Sequence, residues 1–217
     1  MEKIKVDYLH HHKDYKVVQH EDMYHFNTDT CLLGEFIQIN ENSKVLDVGT
    51  NNGALLVYIL KKGGQGYGIE INQEALKIAE LTLKENQFEA TLIHGDFKNY
   101  QSPFLFDVIV SNPPYFSLNN HQQTLKNENI KIARHEEHLT LNELASSIVK
   151  NLKKDGLVFL VYRYTFFEKL ENTLNQVGLF IQYYQVVYDH RKKEPKSLLI
   201  CASFKKVKKM KLEDQII

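Results

Sequence analysis

The stretch Lys44-Val45-Leu46-Asp47-Val48-Gly49-Thr50-Asn51-Asn52-Gly53 constrains the fold more than any other. It reads as a short strand, apolar enough to be buried on both faces, that runs into a turn of glycine and asparagine. Both residue types tolerate positive φ, and glycine lets backbone N–H groups come close to a ligand. Ala54 to Lys61 continues as a helix, and Gly66-Tyr67-Gly68-Ile69-Glu70 is a second strand, ending in an acid 17 residues beyond Gly53. Gln73 to Asn86 is an amphipathic helix with Ala75, Ile78, Ala79 and Leu83 on one side, and Thr91-Leu92-Ile93-His94 is a third strand. Strands that alternate with helices in this way give an α/β chain with a parallel, doubly wound sheet.

The turn chemistry points to a nucleoside-bearing ligand. A carboxylate at Glu70 can accept both hydroxyls of a ribose. The glycines follow G-x-x-x-G, not the G-x-G-x-x-G of dinucleotide sites, and Asp47 stands just ahead of them; that pattern favours S-adenosylmethionine over NAD. Asp96, after Gly95, would accept from the adenine amino group, and Phe97 would pack on that ring. The expected cofactor residues are therefore Asp47, Gly49, Asn51, Gly53, Glu70, Ile71, Asp96 and Phe97. Thr28 and Asp29 join them from the start of a further helix, and Asn112 from a fourth strand. A plain helix cap at Asn27 or Thr28, with Asp29 in the first turn, is an equally good local account.

That fourth strand, Asp107-Val108-Ile109-Val110, is cut short by Asn112-Pro113-Pro114-Tyr115-Phe116. Proline fixes φ and donates no N–H, so the strand ends abruptly and Asn112 is held at its carboxyl end, where open α/β sheets bind ligands. The arrangement suits a planar nitrogen nucleophile. An aromatic amine or carboxamide has a delocalised lone pair and two N–H donors that need acceptors. The Asn112 side-chain oxygen and the Pro113 carbonyl would provide them as a methyl group arrives, stabilisation that exists mainly in the transition state. Tyr115 and Phe116 offer faces for a flat substrate, each stacked base contributing roughly 1–3 kcal/mol. A strand merely closed by Pro-Pro, with Tyr115 in the core, is the alternative.

Net charge is zero, but unevenly spread: residues 1–149 hold 13 Lys/Arg against 20 Asp/Glu, and residues 150–211 hold 14 against 5. A basic C-terminal third suggests a polyanionic partner held by one face. Its densest part is the expected loop Asp189 to Lys196, with Arg191, Lys192, Lys193 and Lys196, continued by the lysine-rich tail from Lys205; Arg163, at the end of a strand over Gly156–Val161, and Arg134 are further phosphate candidates. No long apolar run or signal-peptide core is evident, so a cytoplasmic protein without a membrane partner is expected. Cys31 and Cys201 both fall in apolar surroundings and read as buried thiols. The histidines at 10, 11, 12, 20 and 25 lack metal-site spacing with acids or thiols, so no metal is expected. Residues 117–131 are polar and aperiodic, a loop beside the site. Helices are expected over Leu139–Leu152 and Phe166–Val177, and an antiparallel pair over Leu179–Tyr188 and Leu198–Phe204.

The ordered set Leu46-Asp47-Val48-Gly49, Glu70, Gly95-Asp96 and Asn112-Pro113-Pro114-Tyr115 resembles class I S-adenosylmethionine-dependent amino-methyltransferases. Asp29 with Leu32-Leu33, Phe116, Ala133-Arg134-His135-Glu136, Val161-Tyr162-Arg163 and Glu194-Pro195-Lys196 narrow the resemblance to the tRNA1(Val) adenosine-37 N6-methyltransferase family, over nearly the whole chain. The resemblance implies a Rossmann-like doubly wound sheet of seven strands, mostly parallel, with an antiparallel C-terminal pair. It implies methyl transfer from S-adenosylmethionine to the 6-amino group of a tRNA adenosine, S-adenosylhomocysteine as product, and no obligate protein partner. Three segments are expected: a 1–43 extension whose helix packs on the cofactor site, a 44–204 catalytic domain and a 205–217 basic tail. Two departures stand out. Asn51 replaces a usual glycine, and Tyr164-Thr165-Phe166 replaces a usual Pro-Glu-Arg, removing an arginine. Adenine methylation of DNA or another RNA, glutamine methylation of a release factor, and an inactive RNA-binding module are the alternatives.

Overall fold

A computed structural model describes residues 4–9, 12–113, 139–191 and 193–217. Its strands are β1 (Ile4–Leu9), β2 (His12–His20), β3 (Lys44–Val48), β4 (Gln65–Glu70), β5 (Thr91–His94), β6 (Phe106–Ser111), β7 (Leu152–Arg163), β8 (Phe180–Asp189), β9 (Glu194–Ser203), β10 (Met210–Lys211) and β11 (Gln215–Ile216). The helices are α1 (Thr28–Phe36), α2 (Ala54–Lys61), α3 (Gln73–Glu85), α4 (Leu141–Asn151) and α5 (Phe167–Gln176).

The main sheet runs β10-β8-β9-β7-β6-β3-β4-β5, with β11 also on β8. From β7 to β5 every pairing is parallel, and β9 lies antiparallel to both β7 and β8. The seven expected strands form, and the tail adds two short ones at the β8 edge. Both faces are covered, as side-chain alternation along β7 shows. Val158, Leu160 and Tyr162 enter a cluster with Leu144 and Ile148 of α4 and Leu170 and Leu174 of α5, while Phe159 and Val161 enter one with Leu32 and Leu33 of α1 and Leu55 and Ile59 of α2. A central strand apolar at every position from Leu157 to Tyr162 is what such a two-faced core requires.

The N-terminal segment forms a two-stranded antiparallel hairpin of β1 and β2. It packs on α3 through bonds from the Val18 N–H to Thr82 Oγ1 (3.0 Å) and from the Lys16 N–H to Asn86 Oδ1 (2.9 Å). The basic connection is also shorter than expected. Glu194, Pro195 and Lys196 belong to β9, with Pro195 opposite Tyr188, leaving only residues 190–193 between the strands.

Candidate active site

Two loops meet where the strand order reverses. From β3 the chain steps one way to β4 and β5, then returns to place β6 on the other side of β3. Such a switch point opens a crevice at the carboxyl ends of the strands. Val48 and Ser111 lie opposite each other there, and Ser111 Oγ donates to the Val48 carbonyl at 2.8 Å. Gly49 and Asn112 therefore leave the sheet side by side, on strands about 4.8 Å apart.

The glycine turn is a left-handed construction. Gly49, Asn51 and Gly53 have φ of 72°, 48° and 77°. Gly49 donates to the Ile69 carbonyl at 2.9 Å, and Gly53 caps α2. Among the described residues, a Cβ on Gly49 would meet nothing within 4 Å, so the turn borders open space there. Asn51 serves as more than a tolerated substitute for glycine. Its N–H donates to Glu70 Oε2 at 2.9 Å, and its side-chain Nδ2 to the Tyr24 carbonyl at 2.8 Å. The Asn72 N–H donates to Glu70 Oε1 at 3.1 Å, and the Ile71 N–H is a third backbone donor, so both Glu70 oxygens are held by backbone. Burial pushes the Glu70 carboxyl up, against the pull of these N–H groups.

Asp47 is 1% exposed. Its Oδ2 accepts from Thr50 Oγ1 at 2.7 Å, while among the described residues Oδ1 has no hydrogen-bond partner and Nδ2 of buried Asn52 lacks one as well. Burial pushes the Asp47 carboxyl up to about 7, the nearby Glu70 charge adds to this, and the Thr50 bond opposes it. Buried polar atoms without partners are rare and costly. An acceptor and an amide donor left over in one glycine turn fit the ammonium and carboxylate of an amino-acid moiety. S-Adenosylmethionine carries that moiety, together with a ribose suited to Glu70.

The adenine end departs from expectation. Phe97 is only 4% exposed and belongs to the core with Leu46, Ile69 and Leu144, so it is a packing residue and not an open platform. Asp96 caps the short turn Phe97–Asn99 by accepting from the Lys98 N–H at 3.1 Å, and it pairs with Lys98 Nζ at 3.2 Å. The Gly95 N–H donates to the Glu70 carbonyl at 2.9 Å, and the Ile71 carbonyl lies 2.9 Å from His94 Nε2. Asn27 caps α1, and Thr28 is exposed at its first turn. Asp29 is buried and accepts from Ser197 Oγ at 2.7 Å, tying α1 to β9, which is a structural bond where a cofactor ligand was one expectation.

Asn112 is half-buried, and its Nδ2 donates to Thr30 Oγ1 at 2.9 Å; Pro113 is buried beside it. Pro114, Tyr115, Phe116, the 117–131 stretch, Arg134 and Lys192 lie outside the described residues. Arg163, Arg191, Lys193 and Lys196 are all exposed. Because β8 runs parallel to β7, the 190–193 turn falls at the same end of the sheet as Asn112, and Arg163 pairs with Ser197 there. The tail behaves otherwise. Lys205 and Lys206 lie beside Gln182 and Phe180, at the opposite end, and the chain climbs along β8 until Ile217 reaches His190. The positive stripe read from the sequence is thus split between the two ends of the sheet. Sequence reasoning missed Thr30, Thr50, Asn52 and Ser197, whose partners are 82 and 168 residues away for Thr30 and Ser197.

Among the described residues, no group of three or more His, Cys, Asp or Glu could hold a metal, and no helix is long and apolar enough to cross a membrane. Residues 14–192 match the model of the family described as methyltransferase small domain. The chain belongs to that family. This class I methyltransferase is 27% identical over 192 residues to a tRNA1(Val) (adenine(37)-N6)-methyltransferase of Flavobacteriaceae bacterium (strain 3519-10), covering 87% of this chain and 80% of the relative. A methyltransferase of the same name from Bacteroides thetaiotaomicron is 27% identical over 182 residues, covering 82% and 76%. Among solved structures, the T. thermophilus 16S rRNA N2 G1207 methyltransferase, in complex with AdoMet and guanosine, matches with a TM-score of 0.67 at 18% identity, over 93% of this chain and 50% of its own. The ribosomal protein L11 methylase of Lactobacillus delbrueckii subsp. bulgaricus matches with a TM-score of 0.63 at 18% identity, covering 86% and 84%. At that identity the likeness is one of fold alone.

Proposed function

We propose that this methyltransferase modifies the 6-amino group of an adenosine in tRNA, adenosine 37 of the anticodon loop of a valine tRNA, in the cytoplasm. The observation that carries the reading is Asn112 at the switch point, one strand from the glycine turn, with its amide nitrogen engaged by Thr30. The names of the relatives support the choice of tRNA.

S-Adenosylmethionine, when bound, supplies an electrophilic methyl carbon and leaves as S-adenosylhomocysteine. The Asp47 carboxylate and the Asn52 amide would hold its amino-acid end, and Glu70 its ribose. Asn112 and the Pro113 carbonyl would accept from the two N–H groups of the target amine and hold its nitrogen in line with the methyl, so positioning provides much of the rate. The adenosine leaves its stack to reach this edge, and Tyr115 is the residue proposed to stack on it. Arg163, Arg191, Lys193 and Lys196, with Arg134 and Lys192, would hold flanking phosphates, which makes binding weaken as salt rises.

The test is incubation with methyl-labelled S-adenosylmethionine and unmodified total tRNA, followed by nucleoside analysis and mapping. Label in N6-methyladenosine at position 37 of one valine tRNA is the expected result. Unlabelled RNA beside labelled protein would replace this reading with glutamine methylation.

A further inference from the structure

We infer that Thr30 is a positioning residue that fixes which end of the Asn112 amide faces the reacting amine. The two ends of an asparagine amide are nearly the same shape and opposite in polarity: the carbonyl accepts and the NH2 donates. An exocyclic amine with two N–H groups to satisfy needs the carbonyl, and the reversed amide would set donor against donor. Something must hold the orientation before substrate arrives.

A threonine hydroxyl alone could not, because it can donate to the amide oxygen or accept from the amide nitrogen. Its direction is set one step further back, at the α1 cap. The Thr30 backbone N–H can only donate, and it lies 3.1 Å from Asn27 Oδ1, which fixes that atom as the oxygen. Thr30 Oγ1 lies 3.4 Å from the same oxygen, a long contact that turns the hydroxyl proton toward it. The Asn27 N–H approaches Oγ1 from the other side at 3.5 Å, again treating it as an acceptor. A lone pair of the hydroxyl is then directed at Asn112, and the end of the amide it takes is Nδ2, at 2.9 Å. The polarity of the cap thus passes, through one hydroxyl, to a side chain 82 positions away. Thr30 is 8% exposed, which leaves little room for water to replace it.

The catalytic consequence rests on the adenosine reading, and the orientation does not, so the test has two readouts. Thr30→Val keeps the shape and removes the hydroxyl, and Thr30→Ser keeps the hydroxyl. The first readout is the single-turnover rate of methyl transfer to tRNA, with S-adenosylmethionine Kd measured beside it. The second is solvent-exchange protection of the Asn112 side-chain amide protons by NMR, assigned from the Asn112→Ala spectrum. Thr30→Val is expected to lose roughly tenfold or more in rate, with Kd within twofold, and to lose amide protection; Thr30→Ser should stay within about threefold and keep it. A Thr30→Val rate within twofold of wild type, or Thr30→Ser falling as far as Thr30→Val, overturns the inference. If wild-type protein leaves tRNA unmethylated, the adenosine reading fails, and the exchange data still judge the orientation: equal protection in wild type and Thr30→Val sinks it. Should Thr30→Val not fold, unprotected amide protons in the wild type would overturn the inference by themselves, and Thr30→Ala carries the same comparison.

Discussion

Replacing Asp47 by asparagine should stabilise the protein without cofactor and weaken its hold on the cofactor. The carboxyl is 1% exposed, with one oxygen unpartnered among the described residues, and burial pushes it from the ordinary 3.8 up to about 7. A folded-state value above the unfolded one means that the folded chain binds more protons across that window. Stability contributed by the neutral form is complete below pH 3.8 and is lost as pH rises through 7. At 1.36 kcal/mol per tenfold change in acidity, holding the ionised form folded at pH 8 costs about 4 kcal/mol as an upper bound. Asp47→Asn does not titrate, so its advantage over wild type should be smallest near pH 4 and grow toward that bound above pH 7. Glu70 is also pushed up by burial, but it is present in both proteins and largely cancels in the difference. Urea midpoints of wild type and variant without cofactor, at pH 4.5, 6 and 8, measure this directly, and S-adenosylmethionine affinity at pH 8 should fall by about tenfold in the variant, because a charged partner for the ammonium is gone. A stability difference that does not change with pH would refute the reasoning about burial. Undiminished affinity would refute the assignment of the unpartnered oxygen to the cofactor.

Other outcomes follow from the same geometry. Gly49→Ala forces a left-handed residue, costing roughly 1–2 kcal/mol in a urea titration, and its methyl enters the open space bordering the turn, so cofactor affinity should fall by more than the stability loss suggests. Arg163→Ala and Lys193→Ala should each reduce the slope of log affinity against log salt by about 0.7–0.9 with an anticodon stem-loop RNA. Lys206→Ala, on the opposite end of the sheet, should leave that slope unchanged with the same short RNA.

The sheet was legible because its strands and helices carry local signals: uninterrupted apolar strands, a glycine turn, a cap at Asn27 and prolines that end β6. Glu70, Gly49 and Asn112 were legible for the same reason, since each sits at the end of a strand whose run can be counted. What stayed hidden depends on contacts between distant segments. Nothing near Thr30 announces that its hydroxyl meets Asn112, and nothing near Asp29 announces Ser197. The core role of Phe97 follows from packing against α4, which the sequence around it does not encode. The lysine tail misled for a similar reason. Its charge is plain in the sequence, but which end of β8 it starts from is decided by pairing, with Met210 opposite Tyr183 and Ile216 opposite Tyr188.

The most direct measurement is the single-turnover rate of methyl transfer to unmodified tRNA by Asn112→Ala, with S-adenosylmethionine binding followed by calorimetry on the same preparation. A rate at least a hundredfold below wild type, with affinity within about threefold, is the predicted result. A variant that methylates tRNA as fast as the wild type would contradict the claim that this side chain holds the amine at the edge of the sheet.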